Sequence, residues 1–245
     1  MPPTDASADT GPSPSVPAGA GTEDTLELRL PEELFTPLRP DEPVTGGRRR
    51  DGGADDDLLD TVAGWCPATT PLGSFRLVPV QVERDRELIS RWMNDPAVAA
   101  FWELAGPASV TDAHLRAQLD ADGRSVPCLG VLGTTPVSYF EIYRADLDPL
   151  ARHYPARPHD TGVHLLIGGV ADRGRGVGTA LLRAVSDLVL DNRPRCGRVI
   201  AEPDLRNTPS VSAFLSAGFR FSAELDLPDK RAALMIRDRT LRHLL

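Results

Sequence analysis

The hydrophobic residues of this chain change period from one stretch to the next, and each change marks an element. Between Gly162 and Gly168 lies Val163-His164-Leu165-Leu166-Ile167. This short, nearly continuous apolar run predicts a strand covered on both faces. Val177, Ala180, Leu181, Ala184, Val185, Leu188 and Val189 then recur at i, i+3, i+4, i+7, i+8, i+11 and i+12. That is one stripe of an amphipathic helix, with Arg183, Asp187 and Asp191 off it. Upstream, residues 75–80 predict a first strand. Asp85 is placed to cap a helix through Leu88, Ile89, Trp92 and Met93, which must stop near Asn94-Asp95-Pro96. A second helical pattern covers residues 111–121. Residues 126–132 and 137–143 are two strands joined through Gly133-Thr134-Thr135-Pro136 as a hairpin. Beyond the central strand and helix come a strand at 198–202, a short helix at 208–217 and a closing hairpin of residues 219–225 and 231–236. This order predicts an α/β (α+β) domain, a mixed central sheet with helices on both faces.

Composition divides the chain before that domain. Residues 1–60 are rich in Pro, Gly, Asp and Ala and hold 14 Asp and Glu against 5 Arg, whereas the remainder holds 21 against 22. The net charge of −8 therefore belongs to the first segment. Too little apolar surface is present there to offset chain entropy, so it is expected to be a disordered acidic tail preceding a domain at 61–245. Within it, residues 25–30 alternate in the manner of a short strand that docks on the domain or on a partner. The near-neutral remainder lacks the basic field that nucleic-acid binding needs. The N-terminus has no signal-peptide pattern, no apolar run reaches membrane-spanning length, and Cys66, Cys128 and Cys196 show neither disulfide nor zinc spacing. A reduced, cytoplasmic protein without a metal site and without membrane or nucleic-acid partners is the expectation.

The candidate chemistry sits where the central strand hands over to its helix. Arg173-Gly174-Arg175-Gly176-Val177-Gly178 offers close backbone approach, two cations and a helix N-terminus, a combination suited to a pyrophosphate. No Gly-Lys-Ser/Thr follows, which argues against ATP or GTP hydrolysis. The glycine spacing also differs from a dinucleotide fingerprint. His164 interrupts an apolar strand, and a buried imidazole needs hydrogen-bond partners. It is either a structural histidine or a base.

Arg173-x-x-Gly176-x-Gly178, set between an apolar strand and an amphipathic helix, resembles the coenzyme A loop of the GCN5-related N-acetyltransferases (GNAT). The element order over residues 75–238 is that family's too. Further stretches resemble the hydroxamate-siderophore branch, which includes the acyltransferases of aerobactin and mycobactin synthesis. These are Arg91-Trp92-Met93-Asn94-Asp95-Pro96 with Val98 and Phe101-Trp102, Tyr139-Phe140-Glu141-Ile142-Tyr143, the strand from Gly162 to Gly168, Glu202-Pro203-Asp204-x-Arg206-Asn207, and residues 229–235. Arg144 departs from the Trp that many relatives carry.

The resemblance implies transfer of an acyl group from acetyl-CoA or another acyl-CoA to the side-chain nitrogen of an N-hydroxylated diamine or diamino acid. His164 and Asp204 would be its catalytic residues. Leu166, Ile167, Gly168, Arg173, Gly174, Arg175, Gly176, Val177, Gly178, Thr179 and Asn207 would hold the donor. Phe101, Trp102, Tyr139 and Glu141 would receive the acceptor, Glu141 pairing with an ammonium group. Phe214 stands where many of the superfamily place a thiolate-protonating Tyr, and it cannot serve so. Other siderophore-pathway enzymes are the implied partners. An aminoglycoside or other small-amine acetyltransferase, or a coenzyme A-binding module without catalysis, are the competing readings. His114, His153, His159 and His243 receive no role.

Overall fold

The computed structural model describes residues 59–120 and 122–244. The acidic segment and the alternating stretch at 25–30 lie outside them. The domain core begins slightly earlier than expected. Leu59 and Val62, each 1% exposed, pack with Trp65 against Phe75 and the central helix, so Leu59, expected in the tail, belongs to the core.

Eight strands form one mixed sheet. They are β1 (Ala68–Thr70), β2 (Gly73–Pro79), β3 (Ser125–Leu132), β4 (Thr135–Arg144), β5 (Thr161–Ile167), β6 (Arg198–Ala201), β7 (Arg220–Asp226) and β8 (Arg231–Asp238), ordered β1-β2-β3-β4-β5-β6-β8-β7. All neighbours pair antiparallel except β5 and β6, which run parallel. Among the described residues five α-helices cover the sheet: α1 (Val82–Met93), α2 (Pro96–Trp102), α3 (Ala108–Leu119), α4 (Val177–Asn192) and α5 (Thr208–Ser216).

The parallel pair positions the site. β5 and β6 share register only at Thr161↔Val199 and Gly162↔Ile200, and beyond Gly162 they diverge. The wedge so opened exposes one edge of the second half of β5, where His164 and Leu165 are half-buried between the fully buried Val163 and the 4%-exposed Leu166.

Local chemistry explains the elements and two differences from expectation. Asp85 does not cap α1. It lies within the first turn, where its carboxylate accepts the Gln81 N–H at 2.9 Å and pairs with Arg84, so the helix starts at Val82. Pro96 ends α1 as expected but also opens α2, with Asp95 as N-cap accepting the Ala97 N–H at 2.9 Å. The stripe read for α4 is confirmed in Val177, Leu181, Ala184, Val185, Leu188 and Val189. Leu182, Ser186 and Leu190 are buried as well, because α4 packs on β5 and β1 on one side and α5 on another.

Close approach requires glycine at Gly168, as it does at Gly162 beside Tyr143. A Cβ on Gly168 would meet the Trp92 ring at 2.1 Å, since the α1 indole lies flat on the end of β5. Gly168→Ala is expected to lower unfolding free energy by about 1–3 kcal/mol through overpacking, read from urea melts, whereas the same change at the solvent-facing Gly64 leaves the midpoint nearly unmoved.

Candidate active site

Two connected cavities occupy the wedge. The larger, about 590 Å³, runs along the end of β5 and the start of α4 and is lined by Leu166, Ile167, Arg173, Gly174, Gly176 and Thr179, among others. Gly176 is the N-cap of α4 in left-handed conformation, φ 79°, and Gly174 has φ 70°. Both conformations favour glycine and leave the first N–H groups of α4 aimed at the groove. Gly178 meets Ala213 and Ile167 only at 3.9 Å, so a methyl group fits there.

Not every residue expected at the donor site faces the groove. Val177 is 8% exposed and belongs to the core. The Arg173 guanidinium is engaged within the protein. It donates to the carbonyls of Ile167 and Gly168 at 3.0 and 3.1 Å and to Asp95 at 2.8 Å, which ties the loop to the cap of α2. Arg175 is exposed. Gly168 carries the indole of Trp92. Asn207 caps α5, accepting the Ser210 N–H at 3.2 Å, and lines both cavities.

The smaller cavity, about 250 Å³, lies deeper in the wedge under Phe101 and Trp102 of α2. His164 projects into it. Its Nδ1 lies 2.8 Å from Glu141 Oε2, and its Nε2 is hydrogen-bonded to Glu202 Oε1. Glu141 is the direct cross-strand partner of His164, which fixes their side chains on one face of the sheet. Both glutamates receive further donors. Glu141 Oε1 accepts from Gln118 at 2.6 Å and Tyr139 OH at 3.0 Å and sits 2.6 Å from His114 Nε2. Glu202 Oε2 accepts from Tyr143 OH at 2.7 Å, and Lys230 Nζ lies 3.8 Å from its other oxygen.

These partners set the charge states. Burial pulls the His164 pKa down, but the carboxylates of Glu202 and Glu141 outweigh it and push it up to about 10. Burial works against both glutamates. Nonetheless His164, with Lys230 and the Tyr143 hydroxyl, takes Glu202 down to about 2, and His114 with His164 holds Glu141 well below the usual carboxylate range. The rings of Tyr143 and Trp102 flank the imidazole at 4.8 and 6.1 Å.

Several expectations change here. Glu141 does not offer itself to a substrate ammonium, because its two oxygens already serve His164, His114, Gln118 and Tyr139. Tyr139 is fully buried behind Trp102, ring centroids 5.6 Å apart, and lies behind the cavity wall rather than in it. Asp204 lines the cavity, yet neither His164 nitrogen is directed at it. Its carboxylate accepts from Arg206, both backbone and guanidinium, and Arg206 holds it below the usual range. Phe214 packs edge-on against Phe219 at 5.0 Å and forms part of the lining. Glu202, His114, Gln118 and Lys230 were not singled out for the site from sequence. The i, i+4 pair His114 and Gln118 on the sheet-facing side of α3 was the readable signal for two of them. Among the described residues no group of His, Cys, Asp and Glu is placed to hold a metal ion, and no helix is long and apolar enough to cross a membrane.

Residues 81–227 match the family model described as acetyltransferase (GNAT) domain. The chain belongs to the GNAT acetyltransferase family. It is 39% identical over 222 residues to a Mycobacterium tuberculosis protein named lysine N-acyltransferase MbtK, covering 89% of this chain and 94% of that one. It is 36% identical over 208 residues to an Escherichia coli protein named N(6)-hydroxylysine O-acetyltransferase, covering 84% of this chain but only 60% of that one. An aminoglycoside acetyltransferase crystallised with coenzyme A shares the fold at TM-score 0.61 and 22% identity, over 70% of this chain and 98% of that structure. As a member of this family the protein is an acyltransferase that takes its acyl group from coenzyme A. In this GNAT protein the larger cavity, with its glycine-capped helix start, is the groove suited to that donor.

Proposed function

We propose that the protein acylates the side-chain nitrogen of an N-hydroxylated diamine or diamino acid to give a hydroxamate, as a cytoplasmic step in siderophore assembly. The observation that carries this reading is the absence of a strong free base among the cavity's described carboxylates and its central imidazole. Glu141 and Glu202 are consumed by His164, and Asp204 is held by Arg206. An alkylamine has a pKa of about 10.4, so presenting it as a free base at pH 7 costs roughly 4.6 kcal/mol. A hydroxylamine nitrogen arrives neutral. When it attacks the thioester carbonyl, the N–C bond forms, and the nitrogen becomes positive and strongly acidic. A weak base suffices to take that proton, and Asp204, facing the cavity, is assigned this role. Collapse of the tetrahedral intermediate breaks the C–S bond and releases coenzyme A as thiol or thiolate. Phe101 and Trp102 cover the acceptor's methylene chain.

The names of the two relatives differ on whether the acceptor is hydroxylated and on which atom is acylated. Acylation at nitrogen yields two oxygens that chelate ferric iron, so the colour of the ferric complex identifies the product. An N-hydroxylating enzyme acting on the parent amine must supply the acceptor and is the expected pathway partner. The expected result is a kcat/KM for N-hydroxycadaverine or N-hydroxylysine about 10²-fold or more above that for cadaverine or lysine, reflecting most of the deprotonation cost. Equal values for the hydroxylamines and for kanamycin would sink the reading.

A further inference from the structure

The clamp on His164 does more than orient a ring. Ionised carboxylates only accept hydrogen bonds, and here one faces each ring nitrogen. Both nitrogens must therefore donate, which makes the ring an imidazolium. The glutamates have independent reasons to stay ionised: Tyr139 and Gln118 donate to one, while Tyr143 donates to the other with Lys230 nearby.

The consequence emerges from the charges that face the cavity. β4 contributes Glu141, the end of β6 Glu202, and the segment before α5 Asp204, whose partner Arg206 is 74% exposed and outside the lining. The β7–β8 turn contributes Lys230, α3 contributes His114, and the α2 wall brings Phe101 and Trp102. With a neutral His164 the three carboxylates of the lining are set against Lys230, leaving an anionic pocket fit to bind an alkylammonium. An imidazolium offsets one unit of that negative charge.

We infer that Glu202, with Glu141, holds His164 as a cationic positioning residue whose charge offsets part of the acceptor cavity's negative charge, so that the cavity holds a protonated, unhydroxylated amine less tightly and shifts the balance toward a neutral nitrogen nucleophile. This rests on the amine-acceptor reading above and adds the device by which the acceptor is chosen. It also assigns Glu202 a function that neither its motif nor its neighbour Asp204 carries.

The test combines a spectroscopic and a binding readout on the full chain. Nitrogen-15 spectra of the histidine side chains should show His164 doubly protonated at pH 8 in the wild type. In Glu202→Gln it should titrate at lower pH. Calorimetry should show N-hydroxycadaverine binding more tightly than cadaverine, the two differing only at the reacting nitrogen. His164→Gln keeps a donor but removes the charge, and it should narrow that ratio about tenfold by tightening cadaverine. Glu202→Gln removes a negative charge and should leave the ratio unchanged or wider. A ratio that narrows in His164→Gln but not in Glu202→Gln separates charge from general loss of structure, which would move both alike. A neutral His164 at pH 8, or a folded His164→Gln protein with an unchanged ratio, overturns the inference. If neither amine binds the wild type, the assignment of the cavity to amines falls and takes this inference with it. Amines that bind with an unaltered ratio overturn the inference alone.

Discussion

Replacing Asp204 with asparagine is expected to lower kcat toward a hydroxylamine acceptor by about 10²-fold or more, while affinity for acetyl-CoA stays as it was. The carboxylate lines the smaller cavity, proposed for the acceptor, whereas the larger groove, proposed for the donor, is bounded by the β5 end and α4. Asparagine preserves the shape and can still accept from the Arg206 backbone N–H, so the loop leading to α5 keeps its turn. What it loses is the capacity to take a proton. Because Arg206 holds Asp204 below the usual carboxylate range, it stays ionised to lower pH than a free aspartate. The wild-type rate should accordingly fall on acidification only as pH drops through that depressed pKa. His164 should not shape the profile near neutrality, since its raised pKa keeps it charged until the pH approaches about 10. A folded Asp204→Asn enzyme with full kcat would move the proton-accepting role elsewhere.

Gly176→Asp is expected to weaken acetyl-CoA binding by about 10²-fold or more. Two costs combine. Gly176 sits at φ 79°, where a residue with a Cβ loses roughly 1–2 kcal/mol, and the new carboxylate stands at the helix start that the pyrophosphate must approach. Gly176→Ala carries only the first cost and separates them. Calorimetry with acetyl-CoA is the measurement, and unchanged affinity in a folded Gly176→Asp protein would remove the donor from this loop.

The strand, glycine loop and α4 were legible because period, punctuation and length agree there. α2 was not: seven residues after a proline offer too little periodicity, and Val98, Phe101 and Trp102 read equally as loop. β1, three residues long, was invisible for the same reason. At the site, His164 announced itself as a polar residue in an apolar strand. Its partners did not, because which carboxylates reach it depends on strand register. Glu141 is 23 residues upstream and Glu202 is 38 downstream, and only the β4–β5 pairing and the short β5–β6 contact bring them together. The same limit misplaced Tyr139. The resemblance set it with Glu141 in the acceptor pocket, but nothing in the sequence said that Trp102 would stand in front of it.

The parting of β5 from β6 gives the sheet an internal margin. Unpaired strand edges invite other strands, and proteins usually blunt or cover those at the periphery. This one lies in mid-sheet, flanked by α4 and α5 and overhung by Phe101 and Trp102. A second sheet cannot enter so narrow a slot, whereas a thin, flexible molecule rich in amides can lie along it. The fold therefore keeps a backbone surface open to small partners and closed to its own kind.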